Sequence, residues 1–575
     1  AVKFLQIHND RAMLLNLDTE QNKKIATWGI VVVCLISIAL RFWGLGRFNV
    51  LVFDEFYYAR FANNYLNNTK FYNSHPPLSQ YLIAIGIWIG DRLPIGQDTA
   101  NTLAGSLHST FSYRWINALF GSLIPPIVSS LAYQLTQRLS YAFLAALFIS
   151  LDGLFLVESR YALNNIFLIF FGLLGQLLVL IASKHNGNRQ LLFFVAGGIS
   201  FGASAACKWN GLSFLVGIYL LLAIAKIWSK ILRVIENSSL IHSLFARLST
   251  IYLLKIAFLL AIVIPVIGYG LIMALGLLWP YLIIIMIKYG YSPLLDFLNS
   301  VAYYGKSDLF KWLLLGIYLL WIVDKIWQKI VANFPERCLT NSLLDRLSII
   351  DQTKLIVTLV IIPPIVYSLL WIPHLRQNPI PNFIDVQWSI LNYHKQVNNG
   401  TDIHPYCANW YTWPLLMRPL AYHFQEYKPN YYYDVHAMGN PLLWWLALAT
   451  IFASIWLIIT AFVRKPIQAI NINTISIPLF IVINYTANLL PWVKVTRCVF
   501  IYHYMGAVLF AIGGLAWLVD NWLRSGSKLW QGVGLTTIFS ISATFIFWLP
   551  IYLGLPIEKT DLSLRLWNFW LFNWI

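Results

Sequence analysis

What most limits this chain is a succession of apolar runs, each about as long as the hydrocarbon core of a bilayer, with basic residues in alternate gaps. The first run, 25–42, follows Lys3, Arg11, Lys23 and Lys24, so we expect an uncleaved span with a cytoplasmic N-terminus. Runs follow at 115–133, 141–157, 163–182, 191–206 and 212–228. Arg138, then Lys184 and Arg189, then Lys226, Lys230 and Arg233 occupy every second connection, which places those connections inside. Runs near 355–371, 442–462, 475–490, 499–519 and 533–553 carry the pattern to the C-terminal region, with Arg464, Lys465, Arg524 and Lys528 on the inner side. The shorter run 78–90 reads as interfacial or re-entrant. Of the 575 residues 59% are hydrophobic and only 11% charged, a balance that a soluble globular domain does not show. The chain is expected to be an all-α polytopic membrane protein, a single integral-membrane domain over 1–575.

The net charge of +17 comes from 40 Lys and Arg against 23 Asp and Glu. These basic residues lie scattered between apolar runs, so they orient the chain and do not form a nucleic-acid surface. Five cysteines, with no CxxC pair and one left over, argue neither for a disulfide framework nor for zinc. An internal repeat stands in the middle: GIYLLLAIAKIWSKI from Gly217 recurs as GIYLLWIVDKIWQKI from Gly316, and at the same offset of 99 Arg247, Lys255 and Pro265 match Arg346, Lys354 and Pro364. We read a duplicated helix-pair insertion over 226–324, with spans near 255–275, extended by 277–287, and near 309–323.

By parity, two large loops, 44–113 and 372–440, lie on the external side. The first contains FDEFYYARFANNYL, where Asp54 and Glu55 follow a span and Phe53, Phe56, Tyr57, Phe61 and Tyr65 fall near helical spacing. A helix lying on the outer surface is expected there. The same face collects Arg114, Glu158, Arg160, Lys208 and Arg497, with His75, His404 and His503. Ionisable groups at span ends are costly unless they are used or paired. A carboxylate facing fixed cations suits displacement of a phosphate: the cations hold the leaving group, and the carboxylate takes a proton from an attacking hydroxyl. His404, His423 and His436 are irregularly spaced and no DxD or HxxxH pattern occurs, so no metal is expected. Trp410, Trp413, Trp444 and Trp445 read as interface anchors before sugar platforms.

With FDEFYYARFANNYL go HPPL after His75, RWINALFG at Arg114, DGLFLVESRYAL at Asp152, CKWNGL at Cys207, HPYCANWYTWPLLMRP at His404, GNPLLWW at Gly439 and RCVFIYHY at Arg497. In this order, from about residue 50 onward, the chain resembles the protein O-mannosyltransferases, membrane glycosyltransferases of the GT-C class. The resemblance implies about 13 spans here, an 11-span family core plus the duplicated pair. It also implies inverting transfer of mannose from a polyprenyl (dolichyl-like) phosphate mannose to Ser or Thr of a translocated protein, without a tightly bound cofactor. Residue by residue, it makes Asp54 the base and Glu55 its acidic partner. It gives the donor phosphate to Arg114, with Arg160, Lys208, Arg497, Tyr502 and His503 completing the donor site. His75, His404, Tyr406, Trp410 and Trp413 fall to the acceptor and covering loop. Gln80 stands where the family usually has Lys, and Asn164 and Asn165 where it has Asp; the soluble MIR domain of eukaryotic members is missing, which points to a bacterial plasma-membrane member. Two other readings stay open, transfer of the lipid-linked sugar to a lipid or glycan, and a transporter with polar midplane residues.

Overall fold

In lipid, backbone N–H and C=O groups must bond within their own segment, so the apolar runs become helices. The computed structural model describes residues 19–236, 342–398, 400, 402–464, 472–569 and 572–575. Among these, 10 helices are long and apolar enough to cross a membrane, from Glu20–Phe42 to Lys528–Leu553, and the chain is an integral membrane protein of mostly helical build. The expected spans at 255–275 and 309–323, and most of the 226–324 insertion, lie outside the described residues.

The chain divides into two compact units. The smaller comprises Leu222–Ser348 and Ile459–Ile472. There the Trp228 ring meets Phe462 edge-on at 5.8 Å, and a short helix, Leu343–Ser348, begins at Ser342, whose hydroxyl donates to the Asp345 carboxylate and accepts from the Asp345 amide. Every residue of the site described below belongs to the larger unit.

Within that unit the Gly187–Cys207 helix packs along Asn165–Ala182 and against the Ile362–Leu370 helix. Close packing of this kind uses small residues. A Cβ on Gly198 would fall 1.9 Å from the Thr358 carbonyl oxygen, so only glycine lets these backbones approach. Thr358 lies in a π-helical stretch, Ile356–Ile361, just before Pro363 and Pro364. Such a widened turn accommodates a missing N–H without breaking the span.

The structure departs from the sequence reading in three places. The expected span at 141–157 is two pieces, Leu139–Ser150 and Gly153–Glu158. Asp152 separates them, because its carboxylate accepts from the Phe155 amide at 3.0 Å and starts a new helix. The helix after Asp54 is present as Glu55–Leu66, but its buried face is Glu55, Tyr58, Ala59, Ala62 and Asn63, while Phe56 and Tyr57 are exposed. The loop 372–440 contains the helix Phe383–Gln396 and an antiparallel hairpin, Leu420–Lys428 with Tyr431–Ala437, which Pro556–Glu558 extends to three strands. Period-2 alternation is weak there, so the run reads as an aromatic loop.

Candidate active site

The first acidic pair splits into two roles. Glu55 is wholly buried and held by Arg114 in a two-pronged ion pair, Nε to Oε1 at 2.9 Å and Nη2 to Oε2 at 2.8 Å. Its oxygens also accept from the amides of Val52 (2.8 Å) and Ala162 (3.0 Å). Arg114 spends its other donors on the carbonyls of Leu45, Phe48 and Val50. All five guanidinium N–H groups are therefore occupied, and the side chain is 0% exposed. With these contacts the pair fastens the 45–55 turn to the helix Thr110–Ser122, where the sequence reading expected Arg114 at a donor phosphate and Glu55 at an acceptor. Arg160 also braces backbone, with Nη1 and Nη2 on the carbonyls of Leu40, Arg41, Trp43 and Gly44 and 2% exposure, while its Nε has no hydrogen-bond partner among the described residues.

Asp54 has no such partner. It stands at the N-terminus of the Glu55–Leu66 helix, half-buried, and its carboxylate makes no hydrogen bond with the described residues. Burial pushes its pKa above the usual carboxylate range, and the Lys208 charge pulls it part of the way back. The preceding residue, Phe53, has φ +52°, a left-handed conformation that a bulky side chain seldom adopts. Its ring is clamped, stacked on Tyr422 at 4.6 Å and meeting Phe500, Tyr502 and His404 edge-on. Such strain persists where the surroundings enforce it, which is common at functional sites.

Lys208 follows the Gly187–Cys207 helix and opens a tight turn. The Gly211 amide closes this turn onto the Lys208 carbonyl at 2.9 Å, and a Cβ on Gly211 would lie 2.4 Å from the Ser204 carbonyl oxygen. Lys208 Nζ donates to Asn165 Oδ1 at 3.3 Å and sits 5.0 Å from the Tyr502 ring. Burial lowers its pKa, as does Arg497, while Asp54 and Glu158 raise it. Arg497 is half-buried; its one hydrogen bond to the described residues goes to the Cys498 carbonyl at 3.0 Å, which leaves most of its donors for a ligand. Lys208 thus faces both Asp54 and Arg497, and Tyr58 and Tyr502 each lie in electrostatic reach of Asp54 and of Arg497. His75 joins them, 6.3 Å from the Tyr58 ring and 5.2 Å from His394. Burial and the fields of Lys208 and Arg497 hold both imidazoles below their ordinary pKa and hence neutral.

The covering loop is more structural than expected. Trp413 is completely buried, donates to the Ala408 carbonyl at 3.0 Å and stacks near His503, so it is a core residue, neither membrane anchor nor sugar platform. Trp410 is 7% exposed. His503 is buried between Trp413 and Trp492, its Nδ1 engaged with Phe500. His404 remains half-buried, its ring 5.0 Å from Phe500, and Tyr406 lies under the Arg418 guanidinium.

Cys407 and Cys498 form a disulfide across 91 residues, which the unpatterned cysteine spacing gave no reason to expect. It ties the His404 loop to the segment carrying Arg497. Cys498→Ser is expected to cost about 2–4 kcal/mol of stability. Thermal unfolding in detergent, with and without dithiothreitol, checks this; a melting temperature unmoved by either the substitution or the reductant would refute it.

Among the residues of this site that escaped the sequence reading as functional are Tyr58, His394, Tyr422 and Glu158, the last noted only by its side of the membrane. Glu158 is 0% exposed, accepts from the Tyr422 hydroxyl, and accepts from Asn165 Nδ2 at 3.1 Å. Its signal was an acid at the end of an apolar run, but its partner on the hairpin is 264 positions away.

Comparison with known proteins agrees with the motif order. Residues 31–279 match the family described as dolichyl-phosphate-mannose-protein mannosyltransferase, and residues 379–571 match the C-terminal four-span region of protein O-mannosyltransferase. Dolichyl-phosphate-mannose–protein mannosyltransferase 6 of Saccharomyces cerevisiae is 26% identical over 199 residues, 33% of this chain and 26% of that protein. Protein O-mannosyl-transferase 1 of Danio rerio is 28% identical over 248 residues, 42% of this chain and 32% of that protein. The aligned regions thus span about a quarter to a third of these relatives' own length. The fold matches that of the Saccharomyces cerevisiae protein O-mannosyltransferase Pmt1-Pmt2 complex bound to the sugar donor, with a TM-score of 0.62 at 12% identity, covering 100% of this chain and 96% of that one. With the family's two regions matched in order along most of its length and the fold to go with them, the chain belongs to the protein O-mannosyltransferases, membrane glycosyltransferases of the GT-C class.

Proposed function

We propose that this protein transfers mannose from a polyprenyl-phosphate mannose to a Ser or Thr hydroxyl of a translocated protein, with inversion at the anomeric carbon. The observation that carries this is an unbonded carboxylate, Asp54, facing Lys208, which in turn faces Arg497, two cations that keep donors in reserve. Asp54 accepts the proton of the acceptor hydroxyl as its oxygen bonds to the sugar C1. The C1–phosphate bond breaks with its electron pair going to the phosphate, which Lys208 and Arg497 hold as an anion. A phosphate leaving group needs no general acid, so one carboxylate suffices. The names carried by the relatives, dolichyl-phosphate-mannose donors and protein acceptors, support the same substrate pair.

We place the site on the external face, with the N-terminus inside. The alternation of basic connections supports this orientation, and so does the Cys407–Cys498 disulfide, since such bonds persist in oxidising compartments. The direct test is incubation of the purified protein with polyprenyl-phosphate mannose and a Ser/Thr-rich peptide, read by mass spectrometry. A hexose on the peptide is the expected product. An unmodified peptide beside a glycosylated lipid or glycan added to the same mixture would reassign the acceptor.

A further inference from the structure

The buried carboxylate of Glu158 has no step in the transfer just described, yet it lies between the two parts that do. Toward the donor side, its Oε2 accepts from Asn165 Nδ2 at 3.1 Å, and Asn165 Oδ1 accepts in turn from Lys208 Nζ at 3.3 Å. Toward the base, its Oε1 accepts from the Tyr422 hydroxyl, and the Tyr422 ring lies flat on Phe53, 4.6 Å between centroids and 9° between planes. Phe53 is the left-handed residue that immediately precedes Asp54. The side chain sits at the end of a six-residue helix, Gly153–Glu158, which Asp152 caps and the Trp444 indole fixes by donating to Asp152 at 2.6 Å. A charged group this deep is rare unless its bonds are needed.

We infer that Glu158 is a positioning residue of the transfer reaction, joining the Asp54 turn to the Lys208 ammonium through Tyr422 on one arm and Asn165 on the other. This rests on the function proposed above and adds a residue to it. The titratable and charged groups facing Glu158 are Asp54 and Tyr58 from the first external loop, Lys208 from the Lys208–Gly211 turn, Tyr422 from the hairpin and Tyr502 from the segment after Arg497. Burial pushes the Glu158 pKa up to about 7, against the pull of its bonds to Tyr422 and Asn165 and of the Lys208 charge. Once ionised, Glu158 favours the ammonium form of Lys208, which burial and Arg497 oppose.

Glu158→Gln keeps the length and the acceptor for Tyr422. It removes the charge and sets an amide N–H2 against the Asn165 N–H2, so Asn165 must turn its oxygen away from Lys208. A lost hydrogen bond to a charged group corresponds to roughly a tenfold rise in KM for polyprenyl-phosphate mannose. The alkaline limb of the pH–rate profile should move to lower pH, because Lys208 then loses its proton earlier. The same shift is read without catalysis by acylating the purified protein across a pH series with an amine-reactive reagent and measuring the Lys208 peptide by mass spectrometry. Asn165→Ala cuts the donor-side arm while leaving both charged side chains in place and should raise the donor KM in the same direction, which keeps the test decisive if the Gln variant fails to fold. A uniform loss of kcat, with donor KM, alkaline limb and Lys208 labelling unmoved, overturns the inference. If the wild-type protein transfers no sugar, the proposed function falls, and the labelling comparison alone decides whether Glu158 governs Lys208.

Discussion

Asp54→Asn is expected to lower transfer by about 10²–10⁴-fold, the usual contribution of a positioned general base. Asparagine has nearly the same shape and cannot take the acceptor proton, while Lys208 and Arg497 are untouched, so donor binding should survive. The fold should survive as well. The carboxyl has a raised pKa in the native protein, so protonation favours the folded state. That stabilising effect is fully present below the ordinary carboxylate range and is lost as pH rises through the raised value. At neutral pH the ionised Asp54 therefore costs stability, and the Asn variant should melt no lower than the wild type. The same raised pKa sets the acid side of the activity profile. Transfer should decline as pH falls through a value above that of an ordinary aspartate, and this limb should vanish with the Asn variant's residual rate. Wild-type turnover in Asp54→Asn would remove the base from the mechanism.

Most of the helical frame was legible because lipid imposes length and apolarity on every span, whatever its neighbours. The reading faltered where local chemistry overrode the run. Asp152 looks like one polar residue in an apolar stretch, and only its bond to the Phe155 amide shows that it ends one helix and begins another. In the site, residue type was legible and partnership was not. Arg114 and Lys208 look alike in sequence, each a cation at the end of a span. The carbonyls of Leu45, Phe48 and Val50 that occupy Arg114 are backbone groups, which no residue pattern records. Lys208 is left with an amide and an aromatic ring, and so keeps charge to offer. The hairpin that brings Tyr422 to Glu158 was hidden for a related reason. Its strand Leu420–Lys428 buries its first residues and exposes its last five, so no alternating face runs its length.

Arg114→Ala should destabilise the protein by about 3–5 kcal/mol, the cost of leaving one partner of a buried ion pair without its counter-ion. Both side chains are 0% exposed, so water cannot replace the guanidinium, and the Glu55 carboxylate keeps only the Val52 and Ala162 amides. The carbonyls of Leu45, Phe48 and Val50 lose their donors at the same time, which frees the turn leading into Phe53 and Asp54. Activity should fall with stability, through a misplaced base. Arg114→Lys restores the charge but not the five-pronged donor fork, and should lie between the two. The double variant Glu55→Gln with Arg114→Ala removes the stranded charge and should recover part of the loss. Thermal unfolding in detergent, measured beside donor affinity, separates this from a donor-binding arginine. A variant that melts like the wild type and has lost only its grip on polyprenyl-phosphate mannose would return Arg114 to the phosphate. A variant that unfolds early yet binds donor normally at low temperature identifies the Arg114–Glu55 pair as the clamp that holds Asp54 in place.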